Sequence, residues 1–317
     1  MKLYLRWLPL LVLPVVPLVH AQNWPVRPVR LVIGFSIGGP KDVTARMLAP
    51  KLAELWGQPV VIENRSGAGG SIATVLTAQA TPDGYTLLVT SASHVINAVL
   101  RPNVGYDPLR DFANVIAVGT STSVLLVPPT LSVKSVKELI ALANERPGKI
   151  LYGSAGSGSG THMTTERFNM TAGIKGTHVA YKGQAEMVVE LLAGRLQFGI
   201  VTLAAVGGTV KDGRLRPLAV LAPRRSPVLP DVPTVTEILP NFRRDAVHLI
   251  TAPAKTPRPI INKINKDVAR VIDMPEIKKQ MDAIDFMPTP GTPEELDKTL
   301  REMQVTFEQV ARAAGLK

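Results

Sequence analysis

A glycine- and serine-rich segment, "GSAGSGSGTH" at residues 153–162, is the part of the sequence whose composition most suggests chemistry. Its first eight residues contain four glycines and three serines. Such a loop could hold a phosphate, expose a nucleophilic serine, bind a carboxylate, or serve as a flexible connection. The spacing of the residues and their neighbours separates these possibilities.

The known phosphate-binding motifs are missing from the sequence. Walker A requires G-x-x-x-x-G-K-[ST], and the dinucleotide fingerprint requires G-x-G-x-x-G after a strand. Residues 156–160 read G-S-G-S-G and residues 34–39 read G-F-S-I-G-G, so both miss the fingerprint spacing. Glu63, at the end of a predicted strand, matches only the ribose-binding acid. A nucleotide-binding enzyme is therefore disfavoured.

A catalytic serine is a second possibility. The nucleophile motif G-x-S-x-G is absent because Ser157 and Ser159 lie out of register with the glycines. An exported serine hydrolase that uses Ser154 or Ser159 stays open as the rival function. His162 and Glu166 are four residues apart on a predicted helix but lack a third ligand, so we predict no metal site and no cofactor.

Carboxylate binding agrees best with the position of this loop before a predicted helix. The first N–H groups of a helix have no partner within the helix, and its dipole adds partial positive charge there. Glycines allow an anion to approach the backbone closely, and the serine and threonine hydroxyls add donors. Each hydrogen bond to a charged group contributes about 1.5–3 kcal/mol, so a few of them support micromolar binding.

The elements around this loop form a pattern that occurs twice. The apolar run "VRLVIGF" leads through "SIGGPKD" into a predicted helix "DVTARMLAPKLAELW", and "PVVIEN" follows as a strand. Asp42 is predicted to be the N-cap, and Pro50 to kink or split the helix. The second unit is the strand "KILY", the loop "GSAGSGSG" and the helix "THMTTERFNMTA". Two such units predict two α/β lobes whose ligand lies at the carboxyl ends of the strands.

Other local signals define the remaining elements. "SVKE" at residues 135–138 and Thr292 with Glu295 predict capping boxes, each at the start of a helix. "NVIAVGTSTSVLLV" predicts two short strands around a polar break near residues 120–123. "SASH" at residues 91–94 is interpreted as the start of a loop.

The N-terminus and the composition indicate the compartment. Lys2 and Arg6 precede an apolar run from Trp7 to Val19, and Ala21 completes a cleavage-site pattern, so residues 1–21 are predicted to be a signal peptide. The 317-residue chain has no cysteine, a net charge of +11 and only 5% aromatic residues. Without clustered basic and aromatic residues, nucleic-acid binding is not expected.

Seven motifs, taken in order, resemble the Bug family, the extracytoplasmic solute-binding receptors of tripartite tricarboxylate transporters. They cover nearly the whole mature chain: "GFSIGGPKDVTARMLAPKLAELWGQPVVIENRSGAGGSIA", "PDGYTLLV", "YDPLRDF", "GSAGSGSGTHM", "YKGQAEMVVELLAGRLQF", "GRLRPLAV" and "RSPVLPDVPTVTE". The resemblance implies a type II periplasmic-binding-protein fold with two α/β lobes joined by a two-strand hinge. It also implies a receptor without catalytic activity.

The lobe boundaries and the ligand follow from that resemblance. Residues 22–122 with 245–317 are expected to form lobe 1, and residues 123–244 lobe 2. The ligand is expected to be a dicarboxylate, a tricarboxylate or an acidic amino acid. The protein should be periplasmic and monomeric and should deliver this ligand to a membrane permease. A ligand sensor for a signalling partner would have the same pocket and stays an alternative.

The resemblance also implies which residues bind the ligand, namely the loop after the first strand, the serine-rich loop and two further positions. They are Phe35, Ile37, Gly38, Gly39, Asp42, Ser91, Ser154, Ser157, Gly158, Ser159, Thr161 and Thr202. Asp42 could contact the ligand or only cap its helix. Three features depart from the family pattern. Ile37 stands where alanine or proline is expected, so the pocket wall should be bulkier. Pro50 interrupts the first helix, and "EILPNFRRDAVHLITAP" lacks the expected tryptophan and glycines.

Overall fold

The computed structural model describes residues 24–222, 224–242 and 247–313. Its strands are β1 (Val29–Ile33), β2 (Val60–Asn64), β3 (Thr86–Ser91), β4 (Phe112–Ser121), β5 (Ser123–Val127), β6 (Ile150–Ser154), β7 (Gly176–Ala180), β8 (Phe198–Thr202), β9 (Arg216–Leu221), β10 (His248–Pro253) and β11 (Phe286–Pro288). Its helices are α1 (Pro40–Trp56), α2 (Ser71–Ala78), α3 (Ser93–Leu100), α4 (Val136–Glu145), α5 (Gly160–Ala172), α6 (Gln184–Leu192), α7 (Leu203–Lys211), α8 (Arg258–Ile272), α9 (Pro275–Ala283) and α10 (Pro293–Ala313).

The strands form two separate sheets, which confirms the predicted pair of α/β lobes. The first has six strands in the order β11-β4-β10-β3-β1-β2, and the second has five in the order β7-β6-β8-β5-β9. In each sheet the strands of the glycine-loop unit run parallel, and strands that arrive from elsewhere in the chain pair antiparallel to them. Each sheet has apolar clusters packed against its helices.

The first unit differs from the sequence prediction at its helix. The N-cap of α1 is Gly39, and Asp42 lies inside the first turn, so the prediction of Asp42 as N-cap is wrong. The helix begins earlier because Pro40 has no N–H to satisfy and its fixed φ suits the first helical position. The helix continues through Pro50 to Trp56, so it is not split. Gly57 then ends it in the left-handed conformation, with φ of 62°.

The second unit has the same plan. The Ser159 hydroxyl caps α5 by accepting a hydrogen bond from the backbone N–H of His162 at 3.2 Å. Gly173 ends the helix with φ of 67°. β6 pairs in parallel with β7 and β8, so its carboxyl end leads directly into the loop at residues 155–159. The two loops therefore have equivalent positions in the two lobes.

The Glu138 N–H donates to the Ser135 hydroxyl, and the Glu295 N–H donates to that of Thr292, each at 3.2 Å. The capping box of Thr292 and Glu295 is confirmed, because the Thr292 N–H also donates to the Glu295 carboxylate at 2.7 Å. At Ser135 only the N-cap half forms, since the Glu138 carboxylate accepts from the Lys134 N–H and the Ser135 hydroxyl instead of the Ser135 N–H.

Two helices are new. "SASH", interpreted as the start of a loop, instead ends β3 at Ser91 and begins helix α3 at Ser93, and α7 was not predicted at all. Both are short helices that begin directly after a strand ends.

The chain passes between the sheets at Thr122. β4 ends at Ser121 in the first sheet and β5 begins at Ser123 in the second. The lobe boundaries at 122/123 and 244/245 stay predictions, and residues 243–246 and the predicted signal peptide lie outside the described residues. Within residues 24–313, apart from the undescribed positions, no helix is long and apolar enough to cross a membrane.

Candidate functional site

A cavity of about 40 Å³ lies between the N-termini of α1 and α5 and the strand ends of both lobes. A single water needs about 10–15 Å³ on this measure, so the cavity has room for about three waters or for a carboxylate group. It is lined by Lys41, Ser91, Ala92, Ser123, Gly160, Thr161, Thr164, Gln184, Ile200, Thr202, Val247 and His248. Eight of these twelve side chains are polar, and most can donate hydrogen bonds.

The N-terminus of α5 provides one wall of the cavity. The Thr161 hydroxyl accepts a hydrogen bond from the backbone N–H of Ala155 at 2.9 Å and lies 3.0 Å from the Ser159 hydroxyl. Gly158 donates its N–H to His162 Nδ1 at 3.2 Å. These bonds fix the loop ahead of the helix, so the first turn of α5 faces the cavity in a defined orientation.

Polar side chains from the first lobe face that wall. Lys41, in the first turn of α1, is 9% exposed, and its ammonium lies 5.1 Å from the centre of the Phe35 ring. His248 is held at both ring nitrogens, with Thr44 Oγ1 3.1 Å from Nδ1 and Ser121 Oγ 3.0 Å from Nε2. The N-termini of α1 and α5 therefore lie on opposite sides of one small polar cavity.

A third wall consists of neutral polar groups. Gln184 Oε1 accepts hydrogen bonds from the Thr202 backbone N–H at 3.0 Å and the Thr202 hydroxyl at 3.2 Å. Ser123 pairs with Thr202 across β5 and β8. The three side chains are 3–4% exposed and line the same cavity.

Beside the cavity, the two lobes contact each other through the backbone at several glycines. A Cβ at Gly69 would overlap with the Ser157 carbonyl, and one at Gly158 would overlap with Asn97 Oδ1. A Cβ at Gly156 would lie 3.0 Å from the Gly69 nitrogen. We call this contact the glycine seam (Gly69, Asn97, Gly156, Ser157 and Gly158). Side chains would hold its two backbones apart, which explains the glycines.

Two side-chain contacts cross between the lobes at the edge of the seam. Arg101 donates to the Ala68 carbonyl at 3.1 Å and, across the lobes, to the Ser157 carbonyl at 2.9 Å. The Ser36 hydroxyl donates to the Glu186 carboxylate, with oxygen distances of 2.7 and 2.9 Å. Both contacts require the closed arrangement of the lobes.

Asp42 stabilises the first glycine loop from inside α1. Its carboxylate accepts hydrogen bonds from Gly38 N–H at 2.9 Å, Arg46 Nε at 2.8 Å and Asn64 Nδ2 at 3.1 Å. Burial favours a higher pKa for Asp42, but the hydrogen bonds from Arg46, Gly38 and Asn64 outweigh it and hold the pKa below its ordinary value. Its oxygens are thus used for loop structure, and Asp42 does not line the cavity.

The predicted ligand-binding residues fall into three groups. Ser91, Thr161 and Thr202 line the cavity. Phe35, Gly39, Asp42, Ser154, Ser157, Gly158 and Ser159 build the two loops or the seam without lining it. Ile37 and Gly38 are exposed, with Ile37 at 66%, so Ile37 adds no bulk to the wall of this cavity.

Several lining residues were not predicted. Lys41 directly follows the "SIGGP" loop. A cation beside a helix N-terminus indicates an anion-binding site, so the sequence contained a signal for this residue. Ser123, Gln184 and His248 reach the cavity only because distant strands pair, which the sequence order does not reveal. Thr164 lies one helical turn after the predicted loop.

Ser154 and His178 form a close pair that bears on the rival hydrolase. Ser154 Oγ lies 2.6 Å from His178 Nε2 and also bonds within its own loop, to the N–H and carbonyl of Gly156. Ser154 is fully buried, so no substrate carbonyl can reach its hydroxyl in this arrangement. Ser159 is the N-cap of α5, which occupies its hydroxyl. The geometry favours a structural role for both serines.

His162 makes stability depend on pH. Burial, followed by the charges of His178 and Arg101, lowers the pKa of His162 to about 3. In the unfolded chain the His162 ring binds a proton below about pH 6.5, whereas in the folded protein it stays neutral until about pH 3. The unfolded state therefore takes up more protons, and the unfolding free energy decreases as the pH is lowered. We expect the unfolding free energy to drop by about 1 kcal/mol per pH unit between about pH 6 and 4 through this residue.

A His162→Asn variant tests that expectation, because the asparagine oxygen can accept from Gly158 N–H without titrating. Urea unfolding at several pH values between 7 and 4 should give a shallower decline for the variant than for the wild type. His178 and Glu166 stay in both proteins, so the difference in slope reports His162. Parallel curves would contradict the expectation.

The sequence and the fold match one family of receptors and several solved structures, two of which contain a bound carboxylate. The sequence matches the tripartite tricarboxylate transporter family receptor over residues 44–316. It is similar to an R. palustris protein solved with adipate (35% identity, TM-score 0.88, 92% of this chain and 98% of that chain). It is also similar to MatC from Rhodopseudomonas palustris with bound malate (29%, 0.86, 90% and 99%). The periplasmic binding protein BugD is 28% identical, with a TM-score of 0.89 over 93% and 99% of the chains.

Proposed function

Because the chain belongs to the tripartite tricarboxylate transporter receptor family, we propose that it captures a small carboxylate between its two lobes and delivers it to a membrane permease. The observation that carries the proposal is the cavity between the N-termini of α1 and α5. Members of this family are solute-binding receptors and not enzymes. The adipate and malate of the two similar structures are both dicarboxylates.

The electrostatics of the cavity support an anionic ligand. Two helix N-termini add partial positive charge, and Lys41 adds a full one. The hydroxyls of Thr161, Thr164 and Ser91 provide further donors. A carboxylate that accepts several such bonds gains about 1.5–3 kcal/mol from each. Four such bonds contribute about 6–12 kcal/mol, a range that includes the roughly 8 kcal/mol of micromolar binding.

Closure of the lobes is the proposed capture step. The cavity walls come from both lobes, so the complete set of donors exists only when the lobes meet at the glycine seam. A ligand that contacts both lobes binds the closed state more tightly and shifts the population towards it. Arg101 and Glu186 then hold the edge of the closed form through Ser157 and Ser36.

The location and the assembly state are part of the same proposal. The signal-peptide pattern of residues 1–21 supports an exported, periplasmic receptor, as does the similarity to the periplasmic protein BugD. A monomer that meets a permease through its closed lobes is the simplest arrangement. A receptor that passes the signal to a sensor protein instead would bind the same ligands.

A thermal-shift screen tests the proposed function. Purified protein is heated with a panel of mono-, di- and tricarboxylates, including adipate, malate, succinate and citrate, and with acidic amino acids. A ligand at 100 times its Kd should add about 2.7 kcal/mol to the unfolding free energy and raise the melting temperature by several degrees. If no carboxylate raises it, and mass spectrometry finds none already bound, the proposed function is wrong.

A further inference from the structure

Gln184 is a buried amide whose orientation is fixed by the chain itself. It is the first residue of α6 and is 4% exposed. Its Oε1 accepts both the N–H and the hydroxyl of Thr202. The opposite orientation would place the amide NH₂ against the Thr202 N–H, with two donors facing each other. The oxygen therefore faces β8, and the NH₂ group is left for the cavity.

The amide NH₂ of Gln184 has no hydrogen-bond partner among the described residues, although the side chain is almost fully buried. The same is true of the Ser123 hydroxyl, which lines the same wall and is 3% exposed. Neither atom is sealed off by protein, because both residues line the cavity and whatever occupies it can reach them. Polar groups in such sites nearly always bond to a ligand or to ordered water. Two such groups on one wall of a cavity point to a ligand atom that satisfies both.

The chemistry of the wall selects the kind of ligand atom. Gln184 offers only donors on this side, whereas Ser123 can both donate and accept. The described groups of this wall carry no formal charge, while the charged and dipolar donors lie at Lys41 and at the N-termini of α1 and α5. A carboxylate gains more from the latter groups. A neutral oxygen on the carbon chain of the ligand suits the amide and the serine.

On the premise of the proposed function, we infer that Gln184 is a specificity-determining residue that donates to a hydroxyl or keto oxygen on the bound carboxylate. Ser123 is the second partner of that oxygen. Thr202 acts through Gln184, because its N–H and hydroxyl hold the amide in the donating orientation. The preferred ligand is then a hydroxy or keto acid, rather than the acid of equal length that lacks the oxygen.

The experiment compares matched acids on matched variants by isothermal titration calorimetry. The acid pairs are lactate and propionate, malate and succinate, and citrate and tricarballylate. The variants are Gln184→Met, which keeps the length but removes the donors, and Thr202→Val, which removes one group that orients the amide. Gln304→Met, on α10 outside the cavity, is the control for the substitution itself. Melting temperatures show whether each variant is folded.

The wild type is expected to bind the hydroxylated member of at least one pair about tenfold more tightly, the effect of one hydrogen bond of roughly 1.4 kcal/mol. Gln184→Met should remove most of that preference by weakening the hydroxy acid, while the unsubstituted acid keeps its affinity within about twofold. Thr202→Val should reduce the preference partly, and Gln304→Met should not change it.

Two results would overturn the inference and leave the proposed function standing. One is a wild type that binds adipate or succinate but prefers no hydroxylated acid. The other is a Gln184→Met variant whose preference equals that of the wild type. A protein that binds no acid of any kind would reject the proposed function as well, so the two failures are distinguishable. An unfolded Gln184→Met variant is replaced by Gln184→Leu and Ser123→Ala, for which the same loss of preference is expected.

Discussion

Gly158→Ala is expected to weaken ligand binding roughly 10- to 100-fold while both lobes stay folded. The new Cβ would overlap with Asn97 Oδ1, which belongs to α3 of the first lobe. Asn97 cannot move away easily, because its amide donates to the carbonyls of Gly69 and Ser93 at 2.9 and 3.0 Å. The lobes must separate slightly at the glycine seam, and the cavity then loses contact between its two halves.

Backbone strain is a second effect of this substitution and needs its own control. Gly158 has φ of 80°, a left-handed conformation that costs a residue with a side chain about 1 kcal/mol. Gly173→Ala has the same kind of strain, with φ of 67°, and a Cβ there meets no atom within 4 Å. Both variants should lose similar stability in urea unfolding. Only Gly158→Ala should lose affinity in calorimetry, and equal affinity in the two would show that the seam does not control binding.

Thr161→Val is expected to lower the unfolding free energy by about 1–3 kcal/mol and ligand affinity about tenfold or more. Valine has nearly the shape of threonine but cannot accept the hydrogen bond from the buried N–H of Ala155. It also removes a hydroxyl from the cavity wall and the contact with Ser159. The loop ahead of α5 then loses the bonds that orient it towards the cavity.

Thr161→Ser is the matched variant, because it keeps the hydroxyl and removes only a methyl group. It should retain most of the affinity and most of the hydrogen-bonding contribution to stability. Thr306→Val, on the exposed face of α10, removes a hydroxyl that bonds only to the Glu302 carbonyl and should have little effect. If Thr161→Val bound its ligand as tightly as Thr161→Ser, the hydroxyl would have no role in the site.

The repeated strand–loop–helix unit could be predicted because its signals are local. An apolar run, glycines and a helical pattern follow one another in both units, and the structure has both. Asp42 shows the limit of local reasoning, since a cap residue and a residue in the first turn have the same preferences. Only Pro40, at the first helical position, distinguishes the two cases. As a residue of the first turn, Asp42 accepts hydrogen bonds from Gly38, Arg46 and Asn64 and does not cap the helix.

The cavity could be predicted only in part, because its members come from distant strands. Thr161 belongs to a glycine-loop unit and was predicted. Gln184 reaches the site because β8 ends beside the start of α6, and Ser123 because β5 pairs with β8. His248 reaches it through β10, whose partners β3 and β4 are far away in sequence. Side-chain periodicity carries no information on such pairings.

The strand order has a consequence for how the protein is made. All strands of the second sheet come from the continuous segment Ser123–Leu221. In the first sheet, β4 lies between β10 and β11. Both of these strands are synthesised after the whole second sheet. A nascent chain therefore presents β3 and β4 with unpaired edges until residues 248–288 emerge. Such edges are sites of wrong strand pairing, so aggregation during biosynthesis should begin at β3 and β4.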